Sequence, residues 1–491
     1  MKTTVDTPWP VNISDQPTLS ETQISRAQDV AERRLQDDHG LQAEWFRRKD
    51  VASGWAPGAS LYIEDHRSIE LATDAGAKPF EYRSLGLAGD GDYFVVSAPR
   101  NVAFEHYISN DAGLGAPTVL EVPVHRSMPS KRLATACISD DIAMNALTKV
   151  ARDNNGLNIV PFMSTGDVWK LGVEIARRSH RQVHIAGPPP GLTVLANNKL
   201  WFAELVRALI GRDALPPTYE VYGLANAASG IRKLAGVTDK IVIKMPASAG
   251  AMGNIVFNRS DFDHSSLTGI LDKLANSLSA IGWQGQFPLL LGVWEKNVKA
   301  SPSVQMWLPH PAQGPPIIEG LFVQTLSEDR GGFVGAEPAR LSDPFEQQLK
   351  REALKIALTL QLMGYFGRLS LDAVLLSDTE DHTRVHWIEA NARWGGVSIP
   401  MTIAQKIDPD AMNRGLLIVQ KAMSNDHFLN LQQILSTANV PQVAMHSGAR
   451  EGVFFLAPPE GGQLLFAVVG FSTRQATAIA QSVLASASKP A

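Results

Sequence analysis

The sequence predicts a protein of mixed class, an α/β region followed by an α+β region. Up to Ile185, strand-like runs alternate with amphipathic helical runs, the order expected of a small α/β domain. Beyond Lys240, strands follow strands across short turns, as in antiparallel sheets. Between Gly367 and Gly396, two strand patterns flank a polar turn, and acids stand inside otherwise apolar strands.

With 491 residues, 44% of them hydrophobic and 19% charged, the chain has core enough for two or three domains. A net charge of −4 and the lack of a Lys/Arg run argue against nucleic acid as a partner. The single cysteine, Cys137, excludes an internal disulfide and fits a reducing, cytoplasmic setting. The opening residues, MKTTVDTPWPVNISDQP, have no apolar core and do not read as a signal peptide. No apolar run approaches the roughly 20 residues of a membrane helix, so no membrane is expected as a partner.

Residues 1–19, polar and carrying three prolines, are expected to be disordered or loosely packed. Ser20-Glu-Thr-Gln23 has the form of a capping box and predicts a helix to about Arg48, with Glu32, Arg33, Arg34, Asp37 and Asp38 on a solvated face. Strands are expected at Ser60–Ile63, Tyr93–Ser97, Thr118–Val124, Leu157–Val160 and Gln182–Ile185, and helices at Asp141–Arg152 and Thr165–Ser179. Gly187-Pro-Pro-Pro-Gly191 is a natural boundary. Ala196–Gly211 reads as a helix with an asparagine cap. It places Lys199 in the first turn, where the helix dipole favours negative charge; an exposed lysine accounts for this on sequence grounds alone.

Lys240–Met245 is a strand with Ile241, Ile243 and Met245 on one face and Lys240, Val242 and Lys244 on the other. A loop of small residues, Ala247 to Gly253, joins it to a second strand through Ile255, Val256 and Phe257. This is not a Walker loop, which needs its lysine at the loop end and a helix after it. Small residues let backbone N–H groups approach a phosphate, with Lys244 pointing into the same space. The plainer alternative is a hairpin turn with a solvated lysine. A helix at Leu267–Ile281, an apolar strand at Leu289–Val293 and antiparallel strands at Ser303–Leu308, Ile317–Thr325 and Phe333–Gly335 follow. Asp343-Pro344 opens a long helix, with proline at its first position, that ends at Gly364. Residues 402–436 read as mostly helical. After Pro441, strands near Gly452–Leu456 and Leu464–Val469 precede a closing helix.

In the hairpin, Leu369, Leu371, Ala373 and Leu375 alternate with Ser370, Asp372, Val374 and Leu376. Asp378–Thr383 is the polar turn. Val385, Trp387, Glu389 and Asn391 then alternate with Arg384, His386, Ile388 and Ala390. A turn centred between Glu380 and Asp381 sets Asp372 opposite Glu389, and Asn391 shares the face of Glu389. Two carboxylates and an amide oxygen, with Arg393 just beyond, suit a hard cation such as magnesium. Acids inside apolar strands are costly without a partner. The alternative is a surface hairpin with solvated charges.

Taken in this order, the segments resemble the ATP-grasp superfamily of carboxylate–amine ligases, in which two α+β lobes hold ATP between antiparallel sheets. The resemblance rests on Asn198-Lys199 with its helix and Pro216-Pro217-Thr218, on IVIKMPASAGAMGN (241–254), on VWEKNV (293–298), and on Asp372 with Glu389-Ala-Asn391. A closer resemblance is to the peptide-ligase group that includes the pheganomycin ligase, through SPSVQ (301–305) and the tail LLFAVVGFSTRQATAIAQSVL (464–484).

The resemblance implies an ATP-grasp fold preceded by a small α/β pre-ATP-grasp domain. The implied division is 1–192, then 193–440 with a nucleotide-clamping lobe around 235–300, then a small C-terminal α/β domain, 441–491. It implies an ATP-dependent ligase that makes an amide or peptide bond between a carboxylate (an amino acid or peptide) and an amine. The route is an acyl phosphate, with release of ADP and phosphate, and the setting is secondary metabolite biosynthesis. ATP and Mg2+ are the implied cofactors, and small-molecule carboxylates and amines the implied partners. Relatives are often dimers, so a homodimer is an expectation.

By the same resemblance, Asp372, Glu389 and Asn391 hold magnesium, and Lys199 and Lys244 contact the ATP phosphates. Ser248, Gly250 and Gly253 belong to the loop that closes over them, and Glu295 and Val298 flank adenine. Arg393 holds the γ-phosphoryl group or the acyl-phosphate oxygens through its planar fork; capping the Gly395-Gly396 turn is its plainer role. The chain departs from relatives by alanines in the loop and by Ser370 where D-alanine ligase relatives have arginine. No acid stands five to eight residues after Lys296, which leaves Ser301 or Ser303 for the ribose. Val-Ser-Ile-Pro follows Gly396 where peptide ligases tend to have Thr-Thr-His-Pro. Trp394 and 397–400 are expected to face the substrate, and Arg330, Arg340 and Arg450 are candidates to clamp a carboxylate. No general base is readable. Two other classes stay open: ATP-grasp chemistry of another kind, such as carboxylation, and a non-catalytic nucleotide-binding protein.

Overall fold

The computed structural model describes residues 9, 16–38, 41, 49–69, 71–124, 132–248, 250–328, 331–379, 382–423, 430–459 and 462–487. The first of its three sheets is wholly parallel. It comprises β1 (Val51–Ser53), β2 (Ser60–Ile63), β3 (Tyr93–Ser97), β4 (Thr118–Val122), β5 (Leu157–Pro161) and β6 (Val183–Ile185), in the order β1-β6-β5-β2-β3-β4. Every residue of β5 is buried, as parallel strands covered on both faces require. After β2 the chain moves outward through β3 and β4, then returns to β5 on the other side of β2. The direction of winding thus reverses between β2 and β5, and the carboxyl ends of strands at such a point open a crevice.

The second sheet is antiparallel: β7 (Thr218–Val221), β8 (Lys240–Lys244), β9 (Asn254–Asn258) and β10 (Leu289–Val293), in the order β7-β10-β8-β9. Ile231, Ile270 and Leu274, from helices 224–235 and 267–280, share a core with Ile241, Ile243 and Leu291 of the strands. The third sheet holds β11 (Val298–Ala300), β12 (Pro302–Leu308), β13 (Ile317–Leu326), β14 (Phe333–Pro338), β15 (Gly367–Thr379), β16 (His382–Asn391), β17 (Leu416–Ala422), β18 (Gly452–Phe455) and β19 (Gln463–Val469). Its order is β11-β15-β12-β13-β14-β17-β19-β18, with β16 paired to β15. The stripe Leu349, Ala353, Ile356 and Leu360 of helix 343–362 packs into the core that contains Leu371 and Trp387. Among the described residues no helix is long and apolar enough to cross a membrane.

Several elements differ from the sequence reading. The capping box of Ser20 and Gln23 forms, but its helix ends at Asp37 rather than near Arg48; residues 42–48 lie outside the described residues. Pro344 is the second helical residue of its helix, after the cap Ser342 and Asp343. Helices also form at Leu133–Ser139 and, inside the proline run, at Pro190–Ala196. Leu416–Ala422 is a strand, not part of a helix. A run such as Leu-Leu-Ile-Val has no period to separate the two states. Here Gly415 starts it, at a place where a Cβ would lie 2.5 Å from the backbone of Ser472, and β14 and β19 supply ladder partners. Residues 463–469 of the tail therefore continue the third sheet.

The described part of 1–19 is docked, although the composition suggested loose packing. Trp9 is 6% exposed and stands edge-on to Trp307 (5.5 Å) and Trp394 (5.2 Å). The Gln16 amide exchanges two hydrogen bonds with the backbone of Ile318, at 2.8 and 2.9 Å, as an added strand residue would. Burying an indole offsets the entropy of ordering a polar segment. Trp9→Ala is expected to lower unfolding free energy by about 3–5 kcal/mol. Urea denaturation measures it, and a loss under about 1 kcal/mol would mean the segment contributes little to the fold.

Candidate functional site

β15 and β16 set Asp372 opposite Glu389 and Ser370 opposite Asn391. One step further the register slips, and Ala373 faces Trp387. Ile388 is the extra residue of a β-bulge, which re-aims the side chains after it. The expected single face of Val385, Trp387, Glu389 and Asn391 is therefore split. Val385 and Trp387 enter the core, where the indole donates to Glu352 (2.7 Å), while Glu389 and Asn391 face a cavity. The strands run to Thr379 and resume at His382, so the turn is shorter than Asp378–Thr383; residues 380–381 lie outside the described residues.

A lattice of polar contacts surrounds the pair. Asp372 accepts from the Ser303 hydroxyl (2.5 Å) and from the Asn391 amide (2.9 Å). Glu389 pairs with the Lys199 ammonium at 2.8 Å. Lys199 also donates to the Ser248 carbonyl and is 7% exposed, so it is not the exposed lysine that sequence allowed. The cap Asn198, accepting from Leu200 N–H at 2.9 Å, aims this first turn at the hairpin. Arg393 donates to the side-chain oxygens of Asn391 and Asn197, and Asn197 accepts from Ala392 N–H as well (3.1 Å). The Gly395 N–H is capped by Ser398 at 2.8 Å, so turn capping is not the role of Arg393.

The loop after β8 closes this space from the second sheet. Gly250 has φ +59°, and Gly250 to Met252 line the cavity. At Gly253 a Cβ would stand 2.2 Å from the Ser248 hydroxyl, so only glycine fits there. Ser248 itself is 3% exposed and donates to the Met245 carbonyl (2.9 Å); its hydroxyl turns away from the cavity. Glu295 binds His386 Nδ1 at 2.7 Å, and with Val298 and Ser301 it lines a second cavity. Ser303 is committed to Asp372, which leaves Ser301 as the serine on that wall.

Other expected positions fall elsewhere. Arg340 donates to Thr473 (3.0 Å) and Arg450 to the Ile407 carbonyl (3.2 Å), and neither lines the cavities around Asp372; Arg330 lies outside the described residues. Trp394, by contrast, lines the larger cavity; it is 3% exposed, with the Arg368 guanidinium 4.6 Å from its ring centre. Ile399 and Pro400 are buried in helix 398–407; of the 397–400 segment, Val397 reaches the cavity wall.

The two cavities, of about 390 and 260 Å³, share Asp372 and Glu389. The larger carries Arg393, and the smaller carries Lys199 and Lys244. Burial and the facing Glu389 push the Asp372 carboxyl up to about 7. Burial also raises Glu389, but Lys199, Arg393 and Lys244 outweigh it and hold that carboxyl below its usual range. Burial and Lys199 bring Lys244 down to about 8. Among the described residues no three His, Cys, Asp or Glu side chains cluster as a metal cage. Two carboxylates and one amide oxygen suit magnesium, which fills its remaining positions from water and phosphate.

Asn197 and His386 do not stand out in the sequence, and Ser303, a candidate for the ribose, instead holds Asp372. Asn197 has one signal, its place beside the cap Asn198; His386 has none.

Residues 81–177 match the family described as the Pre ATP-grasp domain. No curated protein matches the chain. The biotin carboxylase–β,γ-ATP complex from Campylobacter jejuni superposes with a TM-score of 0.53 at 15% identity, covering 87% of this chain and 91% of that one. The ADP complex of N5-carboxyaminoimidazole ribonucleotide synthetase gives 0.50 at 12% identity, covering 88% and 98%. The L-amino acid ligase from Bacillus licheniformis gives 0.48 at 12%, covering 88% and 98%. The parallel N-terminal sheet, the four-stranded antiparallel sheet and the large antiparallel sheet together make this chain an ATP-grasp fold preceded by a pre-ATP-grasp α/β domain.

Proposed function

We propose that the protein is an ATP-dependent ligase that joins a carboxylate to an amine through an acyl phosphate. One arrangement carries the reading: Asp372 and Glu389 face each other across the hairpin, with Lys199, Lys244 and Arg393 around the same space. A carboxylate is a poor acyl donor, because oxide would have to leave. In the first step its oxygen bonds to the γ-phosphorus and the bond to ADP breaks. In the second the amine nitrogen bonds to the acyl carbon, the C–O bond to phosphate breaks, and the nitrogen loses a proton. Both steps spread negative charge that cations placed in advance stabilise.

In this reading Lys199 and Lys244 hold phosphate oxygens, and Glu295 and Val298 flank adenine in the smaller cavity. The loop around Gly250 and Gly253 covers the phosphates and keeps water from the acyl phosphate. Ser248 acts through its carbonyl on Lys199, not through its hydroxyl. Asp372, Glu389 and the Asn391 oxygen hold Mg2+, which when bound withdraws charge from the phosphates. Arg393, tied by Asn197 and Asn391, presents its fork to the transferring group. The SPSVQ segment supports amino acids or peptides as substrates, the finer placement in the pheganomycin-type group. Two of its members brace the site, Gln305 donating to Ser303 at 2.8 Å and Ser303 to Asp372.

The purified protein, given Mg-ATP and the twenty amino acids singly and in pairs, is expected to release ADP only when an acid and an amine are both present. Release with bicarbonate alone would replace this reading with carboxylation. A thermal shift with Mg-ATP and no release would replace it with nucleotide binding only. Gly253→Ala forces about 1–3 kcal/mol of strain into the loop. It is expected to raise KM for ATP about tenfold, and an unchanged KM would remove the loop from nucleotide contact.

A further inference from the structure

Past Arg393 the larger cavity continues into the N-terminal sheet. There it meets the carboxyl ends of β2 and β5, between which the winding of that sheet reverses. Such crevices are where open α/β sheets take ligands. His66, in the turn after β2, and Phe162, directly after β5, both line the cavity. The Phe162 carbonyl accepts from Trp394 N–H at 3.0 Å, which fastens the crevice to the loop carrying Arg393.

His66 is held there as a hydrogen-bonding group. Its ring lies flat between Phe80 and Phe162, with centroids at 4.5 and 4.2 Å and planes within 6° and 18°. Nε2 stands 2.9 Å from Glu64 Oε1, and the same oxygen accepts from Arg83 at 3.1 and 2.7 Å. Glu64 is 1% exposed; burial raises its carboxyl, but Arg83 and His66 outweigh this and keep it below the usual range. An ionised carboxylate can only accept, so Nε2 carries the ring proton and Nδ1 keeps a lone pair. Nδ1 makes no hydrogen bond among the described residues. Burial, Arg83 and Arg393 bring the imidazolium down to about 4, so the ring is neutral at pH 7.

We propose that Nδ1 of His66 accepts the N–H of the amine substrate, in a crevice that selects an uncharged α-amine. The inference rests on the ligase reading and adds the amine's subsite to it. An ammonium would gain no carboxylate here. Glu64 already serves three donors, Asp372 and Glu389 face the cation site, and Asp65 and Glu81 pair with Arg67. The α-amine of a peptide or an amino amide, ionising near about 8, is about half uncharged at pH 8, whereas an alkylamine near about 10.4 is almost wholly charged. With its N–H on Nδ1, the amine turns its lone pair toward the acyl carbon. When the C–N bond forms and phosphate leaves, the nitrogen's proton passes to phosphate or water; His66 is too weak a base to keep it.

His66→Gln keeps a donor for Glu64 and loses the acceptor at Nδ1, whereas His66→Asn keeps an acceptor near Nδ1. With the acid–amine pair found among the amino acids, His66→Gln is expected to raise the amine KM about tenfold. Trapping of the acyl phosphate by hydroxylamine stays as in the wild type, and His66→Asn recovers part of the amine KM. An unchanged amine KM, or hydroxamate and amide falling together, overturns the proposal and leaves the ligase reading standing. No hydroxamate from the wild type overturns the ligase reading instead. Independently of turnover, 15N NMR of histidine-labelled protein at pH 7.5, assigned by loss of the signal in His66→Gln, reads the tautomer. An unprotonated Nδ1 that shifts with L-alaninamide is expected; a proton on Nδ1, or no shift, overturns the proposal.

Discussion

Asp372→Asn is expected to abolish acid- and amine-dependent ADP release while raising thermal stability. The two effects share one cause. Burial and Glu389 lift the Asp372 carboxyl to about 7 in the folded protein, against 3.8 for the free side chain. Between these values the folded chain binds the extra proton, so this group's contribution to stability falls as pH rises from about 4 to 7. Asparagine removes that penalty at pH 7.5 and keeps a polar group for Ser303. It also removes the negative charge that a divalent cation needs, and a neutral amide does not restore it. The measurement is a melting curve from pH 5 to 8, with and without Mg2+, beside the coupled assay for ADP. A variant that melts lower than wild type and loses activity would mark Asp372 as structural. One that keeps turnover would remove the hairpin from the metal site.

Arg393→Lys is expected to lower kcat about 100- to 1,000-fold, the usual consequence of losing a preorganised donor to a developing charge. The guanidinium reaches the oxygens of Asn197 and Asn391 together, one on each side of its fork. An ammonium keeps the charge but cannot bridge both, so it loses the aim as well as one donor. Burial lowers the pKa of Arg393, and Glu389 and Asp372 oppose the shift. Arg393 and the two carboxylates thus act on one another, and the two predictions test one unit. Initial rates at saturating substrates, with KM for ATP as the control, decide the matter. A kcat within about threefold of wild type would leave Arg393 with a structural role only.

The hairpin shows how far local chemistry reaches. Antiparallel pairing across a short turn follows from counting residues, and Asp372 does face Glu389. The bulge at Ile388 does not follow from counting. It exists because Trp387 must enter the core and reach Glu352, while Glu389 must face the cavity, and strict alternation cannot serve both. Lys199 shows the same limit. Its cap and helix were legible, but its burial depends on Glu389 and the Ser248 carbonyl, which approach from other sheets. Ser248 lies in the small-residue loop, but its hydroxyl satisfies its own turn, an arrangement with no sequence signature. The strand at Leu416–Ala422 was hidden by a uniformly apolar run that only its neighbours β14 and β19 disambiguate.

Local sequence pattern carries the mixed class, most strand and helix positions, the capping box at Ser20, the small-residue loop and the pairing of the two acids. These depend on interactions among residues a few positions apart, whose geometry is periodic. That Lys199 meets Glu389, that Asn197 aims Arg393, and that His66 and Phe162 open onto the same cavity as Asp372 follows from the assembled fold alone. Such contacts close loops of a hundred residues or more. Their strength comes from desolvation, which is a property of the assembled surroundings and has no period along the chain.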